Sequence, residues 1–196
     1  FILPIVELSL WAYEVNLGFF NNKFLENSFN TLSLSFLTGL ICAFLALIIN
    51  FSIRYKPSAL VGRFSALLSI GYAVPGLILA VGMVQLLVYL DNLAFSGFDI
   101  VLTGSLFGLV LAYVIKTYAL ANSSIESGYE RISYSLDDST KLLGSTSWNM
   151  LGNIHIQLLT TRMLTSVLLV MSDVVTDSPS ALVLRRFSSV TLDVAK

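Results

Sequence analysis

Ionisable residues within apolar runs are the features of this sequence that could do chemistry. Lys116 interrupts one such run, and Asp173 and Asp177 end another, four residues apart and so on one helical face. A charge at the centre of a membrane-spanning helix costs about 2.5–3.5 kcal/mol, so these groups should face protein or water. Two interpretations stay open for the aspartates. Both lie at the outer membrane interface, or they line a polar path or pair with a basic group. Lys116 either extends its ammonium group to the interface or belongs to that path.

Motifs for catalysis or metal binding are absent from the sequence. His155 is the one histidine, and we interpret it as a solvated loop residue because no second ligand stands at metal-site spacing. Cys42 is the one cysteine, which excludes a disulfide within the chain. Neither a phosphate-binding loop nor a nucleophile elbow is present. We therefore expect no enzyme and no cofactor on this chain, and any ATP must be bound by another chain.

The composition is that of a membrane protein. Hydrophobic residues make up 56% and charged residues 12%, with a mean hydropathy of +0.82, whereas soluble domains carry about 25% charged residues. A net charge of −1 without a basic block argues against nucleic acid as a partner. The opening residues, FILPIVELSLW, lack the features of a signal peptide. We expect them to end an apolar segment of a longer protein.

Four apolar runs approach the roughly 20 residues that a membrane-spanning helix needs. They predict an all-α, polytopic integral membrane bundle, with one domain over 1–196 and spans at 29–53, 64–90, 100–121 and 158–175. Pro75, flanked by Gly71 and Gly76, predicts a kink or break in the second span. Small residues recur at four-residue spacing, which favours close helix packing over substrate contact. They are Gly76 and Ala80 in the second span, and Gly104, Gly108 and Ala112 in the third.

Basic residues predict the orientation of the spans. The loop 54–63 has three bases and the segment 122–157 has two, whereas the loop 91–99 has two aspartates and no base. Because basic loops stay on the cytoplasmic side, the first two segments are expected to be cytoplasmic and 91–99 to lie outside.

One cytoplasmic stretch, SYSLDDSTKLLGSTSWNML (133–151), is unusually polar for this chain. Ser135 and Asp138 have capping-box-like spacing, and Asp137 and Asp138 suit a helix N-terminus. Gly144 offers a C′ position where the chain can turn. A two-turn helix is unstable alone, and its low Lys and Arg content disfavours a position on lipid. We expect it to dock on a protein, using Leu136, Leu142, Leu143 and Trp148.

This loop resembles the signature loop of binding-protein-dependent ABC transporter permeases. That family has Glu-Ala-Ala, a glycine four residues after the second alanine, and then an apolar stretch with a proline. Asp138, Ser139 and Thr140 stand in place of Glu-Ala-Ala, Gly144 matches the glycine, and Gln157 replaces the proline.

The flanking segments are similar to the ferric-iron type within that family. IGYAVPGLILAVGM resembles its Pro-Gly helix, and LAYVIKTYALANSSIESGYERIS resembles the segment that leads into its loop. SDVVTDSPSALVLRRFSSVTL resembles its stretch after the loop, with Asp177 in place of a glutamate and Pro179 kept. The resemblance implies a type I ABC importer permease fold, and the second half of a two-half permease that ends before its last membrane helix.

The same resemblance implies a function and partners. A multi-pass permease in the cell inner membrane would pass a solute, ferric iron for this type, from an extracytoplasmic binding protein docked near 91–99 and 178–195. A separate cytoplasmic ATPase would hold ATP and Mg²⁺, and a second permease half would complete the path through the bilayer. The ATPase-coupling loop would comprise Leu136, Asp137, Asp138, Ser139, Thr140, Leu142, Leu143 and Gly144. The translocation pathway would include Pro75, Gly76, Lys116, Asp173 and Asp177.

The alternative function is a secondary transporter or channel that uses Lys116, Asp173 and Asp177 as its ion path. An integral membrane enzyme is least favoured, because no catalytic set is present. The loop 133–158 discriminates between the first two, since an ABC permease requires a cytoplasmic docking helix and a secondary transporter does not.

Overall fold

The computed structural model describes residues 5–7, 22–94 and 105–177, and every regular element within them is helical. The main helices are α1 (Asn22–Tyr55), α2 (Ala59–Ile70), α3 (Gly76–Ala94), α4 (Leu106–Tyr129), α5 (Tyr134–Leu142), α6 (Ser147–Met150) and α7 (Ile156–Thr176). A 3₁₀ turn, Gly71–Ala73, follows α2, and a π-helical segment, Leu151–His155, joins α6 to α7. Gly104, Pro179 and the proposed binding-protein contacts at 95–99 and 178–195 lie outside the described residues.

Within the described residues, four helices are long and apolar enough to cross a membrane: Leu25–Tyr55, Gly76–Leu93, Leu106–Tyr129 and Ser147–Thr176. The predicted membrane character and all-helical class are therefore confirmed for the described residues. The boundaries differ from those predicted. The third candidate span, α4, continues to Tyr129, eight residues beyond the predicted end. The fourth begins at Ser147 rather than at residue 158.

The second predicted span, 64–90, is not one helix. The chain leaves α2 through the 3₁₀ turn, and Val74 is extended (φ −83°, ψ 129°) before α3 begins after Pro75. An extended residue before proline is expected, because the proline ring disfavours helical geometry there. Gly71 lies so close to α4 that a Cβ would meet the carbonyl oxygen of Ile115. The break therefore brings this turn against the middle of α4.

Contacts divide the chain into two compact units, Phe1–Leu34 and Ser35–Lys196. In the first unit, the described part of α1 exposes Leu25, Phe29 and Leu32. In the second unit, α4 is the central packing partner. Ala112 of α4 joins Ala80, Met83 and Val84 of α3 in one buried cluster. The prediction that small residues serve helix packing is confirmed for Ala80 and Ala112.

Polar side chains also join the helices of the second unit. Asn50 Nδ2 of α1 donates to Asn122 Oδ1 of α4 at 2.8 Å, and the Tyr118 hydroxyl donates to the same oxygen at 3.2 Å. Ser124 Oγ of α4 donates to the carbonyl of Arg162 in α7 at 3.2 Å. Such bonds between membrane helices contribute about 0.6–2 kcal/mol each. They also let α4 carry Asn and Ser residues where the sequence predicts a loop.

Candidate functional site

A helical hairpin, formed by α5, the turn at 143–146 and α6, follows α4. Ser133 is the N-cap residue of α5, with extended geometry (φ −65°, ψ 144°) and no side-chain capping bond. The predicted capping box is therefore wrong: Ser135 lies inside the helix, where its carbonyl accepts a bond from Ser139 Oγ at 2.7 Å. Asp138 instead lies near Lys141, with Oδ1 and Nζ 3.6 Å apart.

The turn after α5 is closed by backbone hydrogen bonds around Gly144. Gly144 N donates to the Lys141 carbonyl at 3.0 Å, and Ser145 N donates to the Thr140 carbonyl at 3.3 Å. Together these bonds form a Schellman motif, which requires a left-handed residue at C′. Gly144 supplies it with a φ of 73°. The predicted role of Gly144 in the turn is confirmed.

The hairpin exposes apolar side chains and buries polar ones. Leu142 is 88% exposed, Leu143 86% and Trp148 74%, all within four residues of Gly144. Asp137 and Thr140, by contrast, are only 4% and 8% exposed. This is the reverse of a helix that covers a soluble core, whose apolar residues face inward.

Arg54, at the end of α1, holds the buried face of the hairpin. Its Nε donates to Asp137 Oδ2 at 2.5 Å, and both side chains are more than nine-tenths buried. Its Nη1 donates to the Tyr129 carbonyl at 2.9 Å, and its Nη2 donates to the carbonyls of Ile132 and Ser133 at 2.8 and 3.0 Å. One guanidinium therefore binds a carboxylate and three carbonyls where α4 passes into α5. A cation is favourable there, since these carbonyls include the negative end of α4.

His155 lies beneath the hairpin and is completely buried, so its interpretation as a solvated loop residue is wrong. Its ring lies 5.3 Å from the ring of Phe51 and 5.4 Å from that of Tyr129, between centroids. Its Nε2 is 3.4 Å from Asp137 Oδ1. The reason is that the helix runs without a break from Ser147 through the π segment into α7, which leaves no loop at this position.

A second polar cluster joins the middle of α4 to the end of α7. Lys116 Nζ lies 2.6 Å from Asp177 Oδ2 and 3.7 Å from Asp173 Oδ2. The side chains of Lys116, Asp173 and Asp177 are 13%, 24% and 9% exposed. Of the open interpretations, pairing of the aspartates with a base is thus the arrangement observed. Lys116 also offsets two negative charges at a helix C-terminus, where they are unfavourable.

The two clusters lie far apart along the helices. Lys116 and Tyr129 are about 20 Å apart along α4, at about 1.5 Å per residue. The proposed coupling residues and the charged pathway residues therefore do not meet in one site. Pro75 and Gly76 lie at the break before α3, and no hydrogen bond or ion pair is found between them and the Lys116 cluster among the described residues.

Sequence reasoning missed Arg54 and His155 as parts of the hairpin site. In the sequence, Arg54 is one of the three bases of the loop 54–63 that predict orientation, and its partner Asp137 lies 83 residues away. The available signal was a basic residue directly after a predicted span, followed later by an acidic residue at the start of a predicted cytoplasmic helix. Within the described residues, no three His, Cys, Asp or Glu side chains cluster as metal ligands would.

Over the residues that the structure describes, the fold defines a class of protein: a helical membrane protein with four candidate spans, in which a hairpin leads from the third span into the fourth. Comparison with models of known protein families gives no match, and neither does comparison with curated proteins.

Proposed function

We propose that this chain is a transmembrane permease subunit of an ATP-driven importer of the ABC type. The observation that supports this most is the hairpin, which exposes Leu142, Leu143 and Trp148 while an ion pair anchors its other face. Exposed apolar side chains that cluster on a short element fixed in place by buried contacts are typical of a surface that binds another protein. The hairpin carries one lysine and no arginine, which disfavours the interfacial membrane helix that would be the other reason for such exposure.

The length of the last helical stretch also supports a docking role. Ser147–Thr176 has 30 residues, which at about 1.5 Å each extend about 45 Å, against about 30 Å for the hydrocarbon core. One end of this stretch must therefore project beyond the core, and the hairpin at Ser147 is the end with the exposed tryptophan. The basic residues of 54–63 and 122–157 favour the cytoplasm for that end.

In this proposal each partner has one task. A cytoplasmic ATPase subunit binds ATP and Mg²⁺ and receives Leu142 and Leu143 in an apolar groove. An extracytoplasmic binding protein delivers the solute, and a second permease half completes the path across the cell inner membrane. The resemblance to the ferric-iron type makes Fe³⁺ the first solute to test.

The test is co-purification of the cytoplasmic ATPase with the chain from membranes. Leu143→Asp should abolish co-purification, because a carboxylate in an apolar groove is strongly unfavourable. Leu60→Asp is the matched control, since Leu60 is also exposed (76%) but lies on α2, outside the hairpin. The proposal is refuted if no ATPase accompanies the wild-type chain, or if both variants retain it equally.

The second candidate is a secondary transporter or channel, favoured by the Lys116 cluster. Two carboxylates against one ammonium group leave a net charge of −1 for these three groups, and such groups within membranes often mark ion paths. Ion flux through the purified chain in liposomes, without ATP or any ATPase, would support this candidate over the first.

A further inference from the structure

Arg54 joins α1 to the hairpin, although the two are distant in sequence. The chain itself connects the hairpin to α4 on one side and to α7 on the other. Contact with α1 is made instead by side chains: Arg54 binds Asp137, and Lys141 Nζ lies 5.4 Å from the ring centroid of Tyr55. The Arg54 side chain is 7% exposed and that of Asp137 is 6% exposed, so water screens their attraction little.

The geometry of Arg54 resists both sliding and tilting of the hairpin. Its three nitrogens bind in different directions, to the α5 carboxylate and to carbonyls at Tyr129, Ile132 and Ser133. The Tyr134 ring covers the guanidinium, with the Arg54 Cζ 4.4 Å from the ring centroid. A planar guanidinium group that is hydrogen-bonded along its edges and stacked against a ring allows the hairpin little movement relative to α1.

We propose that Arg54 is a positioning residue that makes α1 move together with the hairpin. A displacement of the hairpin by a cytoplasmic partner would then reach α1 directly, as well as α4 and α7 through the chain. This inference rests on the proposed function, since it concerns how the ATPase acts on the spans. It assigns Arg54 and Asp137 to transmission of that displacement, whereas Leu142 and Leu143 belong to ATPase binding.

The experiment uses the full importer complex in proteoliposomes, with radioactive ferric citrate and the binding protein supplied outside. Two ratios are measured. The first is the amount of iron imported per ATP hydrolysed, and the second is the rate of ATP hydrolysis with the binding protein divided by the rate without it. The second ratio requires no assumption about the solute. Arg54→Ala should lower the iron imported per ATP about tenfold and remove most of the stimulation of ATP hydrolysis by the binding protein, while the ATPase stays bound. Arg54→Lys keeps the charge but not the fork, and should fall between Arg54→Ala and the wild type.

Lys56→Ala is the matched control, because Lys56 is an exposed base two residues further on. It should leave both ratios within about twofold of the wild type. If the complex with Arg54→Ala does not assemble, the same two ratios are measured for Arg54→Lys, which keeps the charge, and for Asp137→Asn, which keeps the side-chain size. A purely structural role would lower the yield of complex and leave both ratios unchanged, and that result would overturn the inference. Loss of the ATPase from the wild-type complex would instead refute the proposed function.

Discussion

Replacement of Lys116 by methionine tests whether the ion cluster between α4 and α7 holds these helices together. The substitution preserves the length of the side chain but removes the charge between two largely buried carboxylates, at 2.6 and 3.7 Å. Removing one partner of a buried ion pair costs about 3–5 kcal/mol, because the remaining charge is left without compensation. For a chain of this size each 1 kcal/mol lowers the melting temperature by about 2–4 °C, so we expect a decrease of about 6–20 °C.

The assay is thermal unfolding of the purified chain in detergent, followed by the loss of its monodisperse peak in size-exclusion chromatography. Lys56→Met is the control for loss of a base, and should change stability by no more than about 0.5 kcal/mol. A triple variant, Lys116→Met with Asp173→Asn and Asp177→Asn, should recover most of the lost stability, since it removes all three charges together.

Two results would refute this reasoning. If the cluster were bathed in water, the pairs would contribute at most about 1 kcal/mol, and Lys116→Met would melt within about 4 °C of the wild type. If the triple variant were as unstable as the single one, the unpaired carboxylates would not be the cause of the lost stability.

Substitutions of Gly144 and Gly71 give two further predictions, and Gly62 provides a control. Gly144→Val should displace the hairpin, because a β-branched residue in left-handed geometry costs at least about 1–2 kcal/mol. It should uncouple ATP hydrolysis from import while membrane insertion persists. Unchanged import per ATP would contradict the coupling assignment. Gly71→Ala should cost about 1–3 kcal/mol, since its Cβ would meet the Ile115 carbonyl. Gly62→Ala, in open space within α2, should preserve or raise the melting temperature. Equal melting temperatures for these two alanine variants would argue against the close approach of the 3₁₀ turn to α4.

Local rules were enough for some features. The break before α3 follows from Pro75 and the restriction it places on Val74, both neighbours in sequence. The turn at Gly144 follows from one glycine after a short helix with a polar start. Such features depend on backbone preferences within a few residues, so the sequence predicts them without knowledge of the packing.

Helix ends and buried charges depended on distant residues. Helix α4 continues past residue 121, the predicted end of the third span, because Asn122 and Ser124 form hydrogen bonds with α1 and α7. Asp137 has the position of a residue that stabilises a helix N-terminus, but its main contact is Arg54, which no local pattern indicates. His155 is interpreted from the sequence as a loop residue because it lies in the segment 122–157 between two predicted spans and has no second ligand at metal-site spacing. The π segment continues the helix through it.

The π segment also sets the rotational phase of the hairpin. A single-turn π segment corresponds to one residue inserted into an α-helix, and one residue is about 100° of rotation. Removing either Gly152 or Asn153, both exposed within this segment, would let the stretch return to regular α-helix. Trp148 and the adjoining turn would then point about a quarter-turn away from their present direction relative to α7. The direction in which the apolar surface faces thus depends on the number of residues between α6 and α7 as well as on their chemistry.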